Sequence, residues 1–229
     1  MPQTDLKCDR RSLRSQRALT DAFAAQLADG EDPARITVGD LTDRAGLTRR
    51  TFYSHYRDIP DFVRAVEDAL IADIRELLIG LSGATLPEVY DSIRDLDPAP
   101  GSVELLRYFV DNRDLVSGLM GPSGDPAFIK RIVDMVRDAV SERMQTGIFP
   151  VALGPFFDYY VSYVVSAETG VVQRWLENGL VESPETMARI MTVIAFVRPG
   201  DLYGMPIDIN VPAYGMKLMS MNIDANEGN

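Results

Sequence analysis

The sequence predicts an all-α protein: an N-terminal set of short helices, then a longer antiparallel helical body, then a non-helical C-terminal tail. Three observations carry this expectation. Apolar residues recur at helical spacing through nearly all of the first 197 positions. No run of strand-like alternation stands out before residue 200. Beyond it, Pro199, Gly200, Gly204, Pro206, Pro212 and Gly215 prevent a long helix.

The first helix is marked by a stripe of Leu13, Leu19, Phe23 and Leu27 and closes near Asp29-Gly30. Thr37, with Asp40 three residues on, approximates a capping box for a short helix that turns Val38, Leu41 and Ala45 inward and stops at Gly46. Thr48 caps a second short helix, from Arg49 to about His55. Asp58 and Pro60 open a long helix with Phe62, Val66, Leu70, Ile74 and Leu77 on one face. Further helices are expected over residues 86–96, one or two over 103–120, and one over 125–146. Residues 156–178 carry an apolar surface wider than one stripe, which suggests contacts on two sides. Ser183-Pro184-Glu185 starts a last helix, reaching Val197. In the tail, Ile207, Ile209 and Val211 alternate with Asp208 and Asn210 as in a short strand, and an extended arm is expected there.

Composition narrows the function. The chain has 229 residues and a single cysteine, Cys8, which excludes an intrachain disulfide framework and suits a reducing, cytoplasmic setting. No apolar run approaches the ~20 residues that span a bilayer, so no membrane partner is expected. The net charge of -11 argues at face value against nucleic acid. Its distribution argues otherwise. Residues 1–58 hold ten basic and nine acidic side chains, and the remainder holds 13 basic and 25 acidic ones. Residues 7–17 carry five basic groups and one acid, and residues 44–57 carry four arginines, His55 and no acid. The acidity belongs to the body, where it repels DNA from everything except the basic segments.

Residues 36–57 have the layout of a helix-turn-helix, with Gly46 in the turn because glycine takes a positive φ without strain. Leu41, Ala45, Leu47 and Phe52 are expected to pack the two helices together. Thr48, Arg49, Arg50, Thr51, Tyr53 and Ser54 are then left for the outward face. An arginine fork can bond guanine O6 and N7, and threonine can meet a base edge or a thymine methyl. Thr37, Thr48, Tyr53 and His55 suit phosphates. Arg10, Arg11 and Arg14 precede or begin the first helix, where a flexible basic arm adds backbone or minor-groove contacts.

The run Ile36-Thr37-Val38, Ala45-Gly46-Leu47-Thr48-Arg49-Arg50-Thr51-Phe52-Tyr53-Ser54-His55-Tyr56 resembles the DNA-binding signature of TetR/AcrR-type transcriptional regulators. The resemblance covers about residues 13–75. It departs where the family commonly has a phosphate-contacting lysine four residues after the histidine; here Ile59 and Pro60 follow, and Arg57 is the candidate substitute. Arg50 stands where the family often has glycine and adds a potential base reader. The resemblance implies a double-stranded DNA operator, a homodimer built by the last two helices, and a small-molecule effector of unidentified structure. The pattern from Glu168 to Gly179 followed by Ser183-Pro184-Glu185 resembles, more loosely, the dihydroxyacetone-kinase regulators of the DhaS type.

On this reading residues 1–58 bind DNA, 59–197 bind ligand and dimerise, and 198–229 form the tail. Tyr108, Phe109, Met120, Phe128, Phe157, Tyr160, Tyr163 and Trp175 are candidates for an apolar pocket, or alternatively core. Val164, Val165, Gly170, Val172, Met187, Ile190, Met191 and Ile194 are candidates for the dimer seam. Neither an enzyme nor a bound cofactor or metal is expected: His55 and Cys8 make no zinc cluster or nucleophilic dyad, and no glycine-rich phosphate loop appears. A repressor is the favoured reading; the alternatives are a protein-binding coactivator on the same scaffold and, more distantly, a helical small-molecule scavenger without DNA affinity.

Overall fold

The computed structural model describes residues 3–81, 85–121, 124–145 and 155–194. The expected tail at 198–229 and the last residues of the final predicted helix lie outside these. The described residues contain ten α-helices and one short 3-10 turn, and no strand. In order the helices are α1 (Gln3–Ala28), α2 (Val38–Arg44), α3 (Arg49–Tyr53), α4 (Ile59–Leu81) and α5 (Leu86–Asp95). They continue with α6 (Ser102–Asp111), α7 (Arg113–Met120), α8 (Pro126–Gln145), α9 (Pro155–Glu177) and α10 (Pro184–Ile194). The chain divides into two compact units, residues 1–73 with 109–130 and residues 74–108 with 131–229.

In the first unit α1 lies against α2 and α7. Leu19, Phe23 and Leu27 are buried on its inner face. Leu13 is not: it is 57% exposed, so the stripe begins at Leu19. One leucine among the exposed Arg10, Arg11 and Arg14 has no apolar neighbours along the helix with which to form a face. Nor are these arginines on a flexible arm, because α1 is already helical from Gln3. Residues 3–28 contain neither proline nor glycine and are rich in Leu, Arg, Ala and Gln, which favour helix. Against α1, α7 buries Leu115, Val116, Leu119 and Met120. A methyl group at Gly118 would lie 2.7 Å from the Leu27 Cβ, so glycine is what lets this helix approach α1.

Three helices close by the same device. At Gly30, Gly46 and Gly179, all at positive φ, the glycine N–H bonds a carbonyl three residues back and the next N–H bonds one five back. The expected stretch 103–120 is two helices, broken at Asn112.

In the second unit Phe157, Val161 and Val165 of α9 form a cluster with Val133, Val136 and Val140 of α8. The α9–α10 turn is held from inside by Trp175, 2% exposed, whose Nε1–H donates to the Glu182 carbonyl at 3.1 Å. Ser183 caps α10, its Oγ accepting from Thr186 N at 3.2 Å. The same helix is tied to the α5–α6 connection: Ala99 N donates to the buried Thr192 Oγ1 at 2.9 Å and Arg189 Nε to the Leu96 carbonyl at 3.2 Å. Arg107 pairs with Glu185 at 2.7 Å on the surface. Within α9, Glu168 is half-buried, and desolvation raises its pKa from 4.5 to about 7.

Two stability measurements follow from this packing. Gly118→Ala drives a methyl into Leu27 and is expected to destabilise by about 1–3 kcal/mol. That reads as a lower urea midpoint at unchanged slope; a midpoint equal to wild type contradicts the close approach of α1 and α7. For Glu168 the folded state holds its proton to higher pH than the unfolded chain. Stability from this group is therefore complete below about 4.5 and lost as pH rises through about 7. Thermal midpoints should fall across that window in wild type and fall less in Glu168→Gln; superimposable profiles contradict the buried carboxyl.

Candidate nucleic-acid interface

Helix α3 is five residues long, and its position comes from outside it. Phe52 is fully buried and its ring meets Tyr56 at 5.6 Å and Phe62 at 6.1 Å between centroids. Phe62 in turn meets Phe23 edge-on at 5.4 Å and Tyr56 at 5.0 Å. Four rings from α1, α3, the α3 exit and α4 thus make one apolar knot; Phe62 meets Phe23 and Tyr56 edge-to-face, and Phe52 meets its two neighbours tilted. Burial, and secondarily the charge of Asp61, raises the Tyr56 hydroxyl pKa, so it stays neutral. Leu41 of α2 is fully buried, whereas Ala45 and Leu47 are half-buried.

The two short helices are capped alike. Thr37 Oγ1 accepts from Asp40 N at 3.2 Å, and Thr48 Oγ1 accepts from Thr51 N at 3.2 Å. Between them, Leu47 N bonds the Thr42 carbonyl at 2.9 Å across Gly46, whose φ of +64° a side-chain-bearing residue rarely adopts.

This frame distributes the candidate residues unequally. Arg49 and Arg50 are exposed, and neither guanidinium joins a hydrogen bond or ion pair among the described residues. Tyr53 is 59% exposed, edge-on to Phe52. Thr37 and Thr48 are exposed caps, and the Thr51 hydroxyl is half-buried and shares a 2.9 Å bond with Thr48. Ser54 is exposed, but its Oγ donates to the Thr51 carbonyl at 2.6 Å.

His55 is half-buried, with Nε2 2.7 Å from Ser15 Oγ of α1. The single Ser15 proton has backbone acceptors at Ser12 (2.8 Å) and Arg11 (3.2 Å). A proton on Nε2 lets the histidine donate to the serine while the serine donates to the backbone; with Nε2 bare, the serine donates to the ring. This bond clamps the exit of α3 onto α1, a role the sequence did not signal.

The arginines also divide. Arg44 reaches back to Asp29 at 2.6 Å and Glu31 at 3.9 Å, and Arg57 to Asp58 at 3.3 Å. At the start of α4, where the resemblance leads one to look for a phosphate-binding lysine, Asp58 Oδ1 accepts from Asp61 N and Asp61 Oδ2 from Arg57 N. Two carboxylates thus occupy that helix end. On α1, Arg10, Arg11 and Arg14 are exposed, and Arg17 extends the row begun by Arg10 and Arg14 on one face. Its spacing of three from Arg14 was the available signal.

The pocket candidates are divided between the two units. Phe109, Met120 and Phe128 are buried in the first unit; Phe157 and Trp175 are buried in the second, and Tyr108 is half-buried there. Tyr160 and Tyr163 are 40% and 67% exposed. Of the seam candidates, Val165, Val172 and Met187 are buried within the chain, and Val164 and Met191 are half-buried. Gly170, Ile190 and Ile194 are exposed. Gly170 and Ile190, with Ala167, Arg174, Trp175 and Met187 among others, line an open, mostly apolar groove of about 350 Å³ between α9 and α10. The described residues include no group of His, Cys, Asp and Glu able to hold a metal, and no helix long and apolar enough to cross a membrane.

Residues 97–196 match the TetR C-terminal family model described as "Transcriptional regulator C-terminal region". The uncharacterized HTH-type transcriptional regulator YxbF of Bacillus subtilis (strain 168) is 27% identical over 187 residues, 82% of this chain and 46% of that protein. The chain thus spans about half the length of that relative. Among solved structures, a TetR transcriptional regulator from Streptococcus agalactiae 2603V shares the fold at TM-score 0.56 and 20% identity, over 83% of this chain and 98% of that one. The dihydroxyacetone kinase operon activator DhaS does so at 0.52 and 14%, over 83% and 96%. A TetR family regulator from Marinobacter aquaeolei VT8 does so at 0.51 and 19%, over 82% and 97%. Residues 97–196 thus resemble a TetR-type C-terminal region, most of the chain is similar to an HTH-type transcriptional regulator, and the fold is that of solved TetR regulators.

Proposed function

We propose that the chain is a homodimeric repressor that binds a palindromic DNA operator through α2 and α3 and is released by a small-molecule effector. The observation that carries this reading is that Arg49 and Arg50 are exposed, with guanidinium groups unpaired among the described residues, on a helix anchored by the buried Phe52. Such arginines are suited to guanine in the major groove. Thr37, Thr48 and Tyr53 contact flanking phosphates, and Arg10, Arg11, Arg14 and Arg17 approach the backbone from α1. Thr51, Ser54 and His55 act through neighbours: their polar groups brace α3. Arg57, beside Asp58, is a weaker substitute for the missing lysine.

Residues 1–58 are assigned to DNA reading and 59–197 to effector binding and dimerisation. The groove between α9 and α10, with Gly170, Ile190 and Ile194 open to solvent, supports the dimer seam on those two helices. A twofold dimer sets its recognition helices about 34–36 Å apart, one turn of DNA. The effector shifts a population: it favours a state with α4 displaced and the two reading heads re-spaced. Coupling is reciprocal, so operator DNA weakens effector binding by the factor with which effector weakens operator binding.

The test is selection of duplexes from a random library, then footprinting. Two symmetric half-sites centred about one helical turn apart are expected. Absence of any enriched sequence removes the DNA-reading function, and an unpaired half-site removes the dimer. On the selected duplex, Arg50→Ala should cost about 1–3 kcal/mol and relax selectivity at one base pair per half-site. Unchanged affinity contradicts its assignment as a base reader.

A further inference from the structure

The second residue of α2, Gly39, has no conformational reason to be glycine. It lies within a regular helix, outside the positive-φ region, where alanine is the better helix former. Space is the reason the structure offers. A Cβ built on Gly39 would sit 2.8 Å from one terminal nitrogen of Arg49 and 3.6 Å from its Cζ. The same point is 3.5 Å from Thr37 Oγ1. The Arg49 guanidinium thus folds back from α3 onto the first turn of α2, into room that only a residue without a side chain leaves, and Thr37 borders the same room.

We infer that Gly39 is a specificity-determining position that acts through Arg49: its missing side chain sets where the guanidinium points. This rests on the DNA-reading function proposed above. Arg49 and Arg50 are then different kinds of reader. Arg50 is exposed on α3, its guanidinium without a hydrogen bond or ion pair among the described residues. The Arg49 guanidinium lies over Gly39 at the seam between the two helices, so what occupies position 39 bears on where it points. Any side chain at position 39 evicts it and changes its aim while leaving the helix itself intact or firmer.

The test is a double-mutant cycle of Gly39→Ala and Arg49→Ala on the duplex selected by the wild-type protein. Gly39→Ala should weaken binding by about threefold to thirtyfold and relax selectivity at the base pair that Arg49→Ala affects. Its thermal midpoint should be no lower than wild type. In the Arg49→Ala background, Gly39→Ala should have no further effect. An equal loss in both backgrounds, or no loss in either, overturns the inference. The posture is also readable without DNA: NMR of the free protein should show cross-relaxation between Arg49 side-chain protons and the Gly39 α protons, and its absence overturns the inference. Failure of the DNA-reading function itself appears separately, as a library from which wild type enriches nothing.

Discussion

The burial of Phe52 beneath a five-residue helix is the interaction on which the reading head depends. A helix of that length is far below the ~12–15 residues at which isolated helices become even marginal in water. Its order must come from packing. Phe52 inserts into a knot with Phe23, Tyr56 and Phe62, and the Ser15–His55 bond fastens the helix exit to α1. Once those contacts face inward, helical geometry leaves Arg49, Arg50 and Tyr53 outside. Recognition chemistry is thus a consequence of where one phenylalanine goes. Removing the Phe52 ring should affect presentation of the arginines before it affects their chemistry.

Electrostatics sharpen the same picture. A basic segment is a poor guide to free charge until its partners are known. Arg44 is compensated by Asp29 and Glu31, and Arg57 is beside Asp58. Carboxylates from Asp58 and Asp61 cap α4, so that helix end is satisfied internally and repels a phosphate. Arg49 and Arg50 of α3 and Arg10, Arg11, Arg14 and Arg17 of α1 are exposed, with no ion pair among the described residues. Exposed pairs such as Arg57–Asp58 contribute little to stability, about 0–1 kcal/mol, yet they decide which cations remain uncompensated.

The caps and the turn were legible in the sequence because they are local. Thr37, Thr48 and Gly46 sit at fixed offsets from the helices they bound, and the backbone hydrogen bonds confirm each of them. The apolar face of α4 was legible for the same reason. What failed was long-range or depended on partners. The stripe of α1 was extended to Leu13, although three flanking arginines deny that turn an apolar face. His55 looked like a phosphate contact because nothing in its spacing reveals Ser15, forty residues earlier. The aromatic residues of α9 were indistinguishable by type: Phe157 is buried, whereas Tyr159 and Tyr163 on the same helix face solvent. Gly39 carried no signal at all, since its meaning is the position of another side chain.

The claim that the reading head is preformed by its aromatic anchor is tested most directly by native-state hydrogen exchange in the absence of DNA. The amides of Phe52, His55 and Tyr56 bond the carbonyls of Thr48 and Phe52, within or just after α3. They should exchange as slowly as the buried turns of α1 around Phe23 and with the same denaturant dependence, because both are held by one core. Exchange of these amides orders of magnitude faster than those of α1, with no denaturant dependence, would mean that α3 opens on its own, and would contradict the account.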